Sequence, residues 1–442
     1  MEQSKNMQEL ISFIASCPTA YQTVETLSGI LTEQGFVRLE EQNEWKLKSG
    51  EKYFVTRNGS SILAFCLPRE LDRIRGYHIV ATHGDAPSLK LKPVFEQKAE
   101  GCATQWNVER YGGAILSSWM DRPLSVAGRV AVKTEDGVRL CPVHLDRDVA
   151  LIPNVAIHMN RKVNEGVPIN VQVDMLPLSG LGLPDSALMR TIAALLNVEE
   201  TDIISHDLFL YVRNEGRVWG MNNEFISAPR LDDLMCTYAA LKGFLSPSHP
   251  RTVPVLAVFD NEEIGSSSRQ GAASSLLRDT LTRVDACFAA YDTSAGGLQR
   301  RLSGSCLISA DNAHAVHPNH PEYADKQNRP VINGGVVIKH NAEQRYATDA
   351  ISGAIFARIC DRAGVPTQVF ANRSDVRGGS TLGNIAVSDV PCLTVDIGLA
   401  QLAMHSAYET AGVQDFDSLC AACRAFYASS LIADSDRSFR IE

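Results

Sequence analysis

Two kinds of hydrophobic spacing divide this chain. Behind Thr19, a residue type suited to a helix start, Val24, Leu27 and Leu31 recur at helical intervals until Gly35, which predicts an amphipathic helix. YHIVATHGD, Tyr77 to Asp85, reads as a short buried strand with polar residues at its end. From about Leu91 to Glu224 the texture changes to short alternating segments such as GRVAVKTEDGVRLCPVHL, broken by turn residues, which predicts a β-rich region. Beyond it, helix and strand patterns alternate: DLMCTYAALKGFL helical, TVPVLAVFD and VDACFAAYD extended, DAISGAIFARICDRAG helical, VPTQVFAN and CLTVDIGL extended. Such alternation predicts an α/β fold, a mostly parallel sheet flanked by helices. The expected organisation is an α/β domain in two parts, residues 1–90 and 225–442, interrupted by a β-rich insertion over 91–224.

At 442 residues the chain exceeds the size at which one hydrophobic core stops growing, so more than one domain is expected. A formal charge of −9 argues against a nucleic-acid or anionic-membrane partner, because neither polyanion is drawn to a net acidic surface. Eleven cysteines, an odd number scattered from Cys17 to Cys423 without framework spacing, fit reduced thiols in an intracellular compartment. The one close pair, Cys420 and Cys423, falls on one face of a helical pattern, where buried free thiols are the ordinary outcome and a metal or redox CxxC the rarer one. MEQSKNMQELISFI lacks the basic start, apolar core and cleavage site of an export signal, and no apolar run reaches the roughly 18 residues of a membrane span. A cytoplasmic location is expected.

FDNEEIGS, Phe259 to Ser266, changes the picture. It sets Glu262 and Glu263 side by side after an almost uncharged strand, with no lysine nearby and Arg269 the first arginine. An isolated pair of glutamates is ordinarily a solvated rim, but buried carboxylates neutralise, pair with a base or bind a metal. Four other strand ends or loops carry matching chemistry: His83-Gly84-Asp85, Arg230-Leu231-Asp232-Asp233 ahead of a helix, Ala310-Asp311 after CLIS, and Met404-His405-Ser406 beyond CLTVDIGL. In open α/β sheets, function collects at the carboxyl ends of the strands.

Singly, each has an ordinary reading as a hydrogen-bonded histidine or a helix cap. Together, two imidazoles and several carboxylates without a cysteine suit zinc, manganese or cobalt, and more carboxylates than one ion needs point to two divalent ions sharing a bridge. Residues two apart on a strand face the same way, so Asp85 is placed to fix the His83 ring through its second nitrogen. Beside a dication, one of the adjacent glutamates can serve as a ligand and its neighbour as general base and acid toward an activated water.

These residues also resemble a known family. HGDAPSLKLKP at 83–93, YGGAILSSWMDRPLSVAGRV at 111–130, IPNVAIHMNR at 152–161, EFISAPRLDDL at 224–234 and FDNEEIGS are similar, in order, to blocks of the aspartyl aminopeptidases, relatives of vacuolar aminopeptidase I and dizinc metallopeptidases. SADNAHAVHPNHPEYADKQNRP at 309–330, VIKHNAEQRYATD at 337–349, GGSTLG at 378–383 and QLAMHSAYE at 401–409 continue the likeness. The resemblance implies that Asp232 bridges two metals, with His83 and Asp311 completing one site and Glu263 and His405 the other. It implies that Glu262 is the catalytic acid and base and that Asp85 orients His83. Gly84 stands where the family often has threonine, and Asp233 where asparagine is usual.

The resemblance further implies that the insertion is a dimerisation domain and that His158 reaches into a neighbouring subunit's active site. Lys339 and Tyr346 would line the substrate pocket, where an ammonium favours an acidic first side chain, although related enzymes accept neutral ones. Short peptides are the implied substrates, and dimers assembled into a dodecamer the implied homo-oligomer. Two other readings stay open. One is a dimetal amidohydrolase of N-acyl amino acids, separated by whether a free α-amine is required. The other is a non-catalytic scaffold, whose mark would be the loss of Glu262 or of a ligand.

Overall fold

The structure, a computed structural model, describes residues 2–289, 291 and 296–442. Its largest element is a nine-stranded sheet in the order Val37–Leu39, Lys52–Arg57, Ser61–Cys66, Thr252–Phe259, Gly76–His83, Cys306–Ala310, Leu393–Gly398, Val336–His340, Thr367–Ala371. The four strands from Thr252–Phe259 to Leu393–Gly398 run parallel. Antiparallel pairings are confined to the flanks, so the sheet is mostly parallel, as expected.

Alternation along these strands feeds two cores. Val255, Ala257 and Phe259, with Ile79 and Ala81, pack on one face against Leu276, Leu281 and Phe288. Leu256, Val258 and Val80 face the other way, onto Met235, Phe356, Phe416 and Phe426 from the helices Leu231–Phe244, Ala350–Arg362 and Val413–Tyr427. The helix behind Thr19 spans Ala20–Glu33, but the Thr19 hydroxyl donates to Gln22 Oε1 rather than accepting from a helix N–H.

VDACFAAYD is not a strand. Leu276–Asp285 is a helix that runs into a single turn at Ala286–Phe288; Ala290 and Asp292 lie outside the described residues. The apolar run was too short to distinguish extended from helical by period. Leu277, Leu281, Val284 and Phe288, spaced as one helix face and all buried in the same cluster, decide it.

Between residues 88 and 212 the chain forms an antiparallel six-stranded sheet, ordered Gly137–His144, Leu124–Thr134, Ile203–Val212, Ser88–Lys98, Ala103–Tyr111, Leu178–Leu181. It has its own core around Trp106, Trp119, Ile152 and Leu210, and carries the helix Ala187–Leu196. A five-stranded sheet, Arg217–Trp219, Phe225–Ala228, Glu409–Gly412, Ala400–Leu402, Ala313–His314, draws the segments after the central strands together. Among the described residues, no helix is long and apolar enough to cross a membrane. Cys420 and Cys423 are buried free thiols on the helix Val413–Tyr427.

One buried group makes the core acid-sensitive. His78 Nδ1 donates to the Phe426 carbonyl at 2.9 Å, and its ring stacks on Phe426 with centroids 4.5 Å apart. Burial pushes the imidazole down to about 4. The unfolded chain, near 6.5, takes the proton first, so stability is full above that value and lost as pH falls toward 4, by up to about 3 kcal/mol. Urea unfolding of zinc-free protein at pH 7.5 and 4.5 should show this loss shrinking in His78→Asn, whose amide can keep the bond to Phe426. Equal losses in both proteins would rule His78 out as the cause.

Candidate metal centre

The central strands end level: Phe259 pairs with His83, Ser309 with Ala81 and Ala310 with Ile397. That shared edge delivers His83, Asp311 and the two glutamates. His83 closes Gly76–His83, and Asp311 follows Cys306–Ala310. Glu262 and Glu263 open a single turn, Glu262–Ile264, entered through Asn261 at φ +63°. Asp232 stands at the start of the helix Leu231–Phe244, joined to Asp233 by a cis peptide bond. His405, at φ +68°, lies in the turn between Ala400–Leu402 and Glu409–Gly412. The adjacent glutamates thus sit on a turn rather than an extended chain. Glu263 reaches His405, while Glu262 lines the neighbouring cavity.

Asp232 is the hub. Its Oδ1 lies 3.4 Å from His83 Nε2 and its Oδ2 3.5 Å from His405 Nε2. Asp311 Oδ1 is 4.0 Å from His83 Nε2, and Glu263 Oε2 is 3.3 Å from His405 Nε2. Donor atoms of His83, Asp232 and Glu263 lie within 4.8 Å of one another, as do those of Asp232, Asp233 and Asp311.

Carboxylates crowded in this way resist ionising together. Burial and then neighbouring carboxylates, against the pull of His83, push Glu262 up to about 8. Burial, followed by Asp232, pushes Glu263 well above the ordinary range. Burial raises Asp311 to about 6 despite the Lys339 ammonium. Asp232 goes the other way: burial opposes its charge, but the facing His405 and His83 imidazoles hold it well below the usual range. Both imidazoles are held high, chiefly by Asp232, against burial.

The donor set fits a metal. Buried oxygens Oδ1 of Asp232, Oδ1 of Asp233 and Oε1 of Glu263 find no hydrogen-bond donor. Orphaned acceptors converging with two imidazole nitrogens are what a dication satisfies, and nitrogen and oxygen donors without thiolate suit zinc.

Around the cluster, a cavity of about 420 Å³ is lined by Asp232, Glu262, Glu263, Asp311, Lys339 and Tyr346, among others. Lys339 is buried, donates to the Asn312 carbonyl at 2.9 Å, and lies 3.8 Å from Asp311 Oδ2 and 5.4 Å from the Tyr346 ring centre. A larger cavity of about 530 Å³ lies toward the six-stranded sheet, but of the candidate ligands it reaches only Asp232.

The chain matches the family model described as Aminopeptidase I zinc metalloprotease (M18) over residues 13–427. It belongs to the M18 family and is a zinc metallo-aminopeptidase. A Clostridium novyi (strain NT) protein named "Probable M18 family aminopeptidase 2" is 42% identical over 419 residues, covering 93% of this chain and 96% of the relative. Among solved structures, Ape4 in its complex with Nbr1 is 34% identical with a TM-score of 0.91, covering 96% of this chain and 86% of that one. The S. cerevisiae mApe1 dodecamer is 28% identical with a TM-score of 0.82, covering 95% of each chain.

Two acids of this aminopeptidase's centre, Glu409 and Asp233, were given no role from the sequence. Glu409, almost fully buried, accepts the backbone N–H of Asp232 at 3.0 Å and that of His405 at 2.7 Å, tying two loops that are far apart in sequence. Asp233 is wholly buried and accepts the His83 N–H at 3.3 Å. Glu409 lies at the end of QLAMHSAYE and Asp233 in the Asp-Asp pair, so an acid within a few residues of a candidate ligand was the available signal. His83 Nδ1 faces the Asp85 backbone oxygen at 3.1 Å and its carboxylate at 3.4 Å. His158 does not join the cluster; it is exposed in the segment following Ile152.

Proposed function

We propose that this aminopeptidase removes N-terminal residues from short peptides with two zinc ions held about Asp232. His83 and Asp311 would complete one site, Glu263 and His405 the other. The observation that carries the reading is the Asp232 carboxylate, whose two oxygens face two different imidazoles at 3.4 and 3.5 Å. When bound, such ions polarise the scissile carbonyl and acidify a water; manganese or cobalt would suit the same donors. Glu262, on the cavity wall beside Glu263, takes the proton of the attacking water and returns it to the departing amine. Asp85 keeps the His83 ring oriented. Metal counting should give two zinc ions per chain. Aminoacyl amides should be cleaved and N-acylated amino acids should not; the opposite preference would mark an amidohydrolase instead.

Acidic first residues are favoured in this reading, because Lys339 and Tyr346 line the same cavity and a buried ammonium stabilises a carboxylate there. Lys339→Met should cut the preference for Asp and Glu over Leu substrates by about 10-fold or more, the scale of one charge-assisted hydrogen bond. An unchanged ranking across a panel of aminoacyl chromogenic substrates would remove Lys339 as the selector.

We further propose that residues 91–224 form the dimerisation domain between the catalytic parts 1–90 and 225–442. His158 would enter a neighbouring copy's site and dimers would build a dodecamer. His158 is flanked by the exposed apolar side chains Val155, Ile157 and Met159, a surface suited to being covered by a second copy. The likeness to the mApe1 dodecamer supports the same assembly. A cytoplasmic location is supported by the free cysteines.

A further inference from the structure

The six-stranded sheet sends one strand end directly into the cluster. Ala103–Tyr111 finishes on Tyr111, whose hydroxyl donates to Asp85 Oδ2 at 2.7 Å and accepts from Asn261 Nδ2 at 3.0 Å. The same Asp85 carboxylate accepts the backbone N–H groups of Glu262 and Glu263, each at 3.2 Å. One buried carboxylate therefore holds the turn that carries both glutamates, and a phenol from another sheet helps to hold that carboxylate. The Tyr111 ring is fixed edge-on to Phe209, with centroids 5.4 Å apart.

The next residues press on the same group. At Gly112, φ +71°, an added Cβ would lie 3.1 Å from Glu263 Cβ; at Gly113 it would lie 3.1 Å from His405 Nδ1. The Ile115 N–H donates to the His405 carbonyl at 2.9 Å.

We propose that Tyr111 is a positioning residue for peptide hydrolysis, acting through Asp85, with Asn261 as its second anchor, to hold Glu262 and Glu263 in register with the ligands. The inserted sheet is then part of the catalytic centre. The inference rests on the reading of Glu262 as proton carrier and Glu263 as ligand. Tyr111→Phe keeps the ring on Phe209 and removes only the hydroxyl, leaving Asp85 Oδ2 with one fewer donor. A small displacement of a base from its working position costs about 10- to 100-fold in rate.

The test is steady-state kinetics on zinc-loaded enzyme, with zinc content and Tm measured on the same samples. Tyr111→Phe should lose about 10- to 100-fold in kcat with KM changed by less than about twofold and two zinc ions retained. Asn261→Ala should fall in the same direction. The double variant should fall no further than the weaker single enzyme, because both act on one carboxylate. Tyr21→Phe, which removes a hydroxyl from Asp207 in the adjoining cavity, is the control and should keep wild-type kcat. Wild-type kcat in Tyr111→Phe, alongside an inactive Glu262→Gln enzyme, would overturn this inference and leave the reading of Glu262 intact. An active, zinc-loaded Glu262→Gln enzyme would overturn that reading itself. A loss in Tyr111→Phe that vanishes when rate is expressed per bound zinc would make the tyrosine a structural residue only.

Discussion

Glu262→Gln enzyme loaded with zinc should keep its metal and lose about 10²- to 10⁴-fold in kcat, with little change in KM. The substitution preserves the shape of the cavity wall and removes only the capacity to carry a proton. In the metal-free site, burial and the carboxylates of Asp311, Asp85 and Asp232 raise Glu262 to about 8, although His83 pulls the other way, and bound dications would draw it down. A base near neutrality can accept a proton from water and surrender it to an amine within one turnover. The measurement is turnover on an aminoacyl chromogenic substrate, normalised to zinc content by atomic emission. Wild-type turnover at full zinc occupancy would take Glu262 out of the reaction.

Asp232→Asn is expected to abolish both activity and zinc-dependent stabilisation. Chelator-treated wild-type protein should regain stability on zinc titration by mass action, about 4 kcal/mol for one site at a thousandfold excess over its Kd. The variant should show no rise in Tm across the same titration. An amide keeps the volume and the backbone N–H to Glu409, but it cannot present two anionic oxygens to two imidazoles. Two zinc ions bound to Asp232→Asn, with a normal titration, would show that the ions do not share this carboxylate.

Much of the architecture was legible in the sequence where burial dominates. Gly76–His83 and Thr252–Phe259 are wholly buried strands, so their apolar runs carry the signal undiluted. The convergence of His83, Glu263 and Asp311 followed from one rule about strand ends, because the central strands finish level and parallel, while Asp232 and His405 arrive from segments of the five-stranded sheet. VDACFAAYD was misread as a strand because a short apolar run satisfies both periods until its register against the core is known. Glu409, Asp233 and Tyr111 make contacts between distant segments, such as Tyr111 with Asp85 and Glu409 with Asp232. A local pattern flags Glu409 and Asp233 only as acids near a candidate ligand, and does not show which distant segment each one meets.

The five candidate donors come from five separated stretches of the chain, and the last of them, His405, lies beyond the final strand of the central parallel set. No early portion of the polypeptide can gather them. During synthesis, the cluster around Asp232 can close only after the carboxy-terminal region has emerged and its turn has been tied to Asp232 through Glu409. With the ligand set proposed above, the first cut must wait until His405 and Glu409 have left the ribosome.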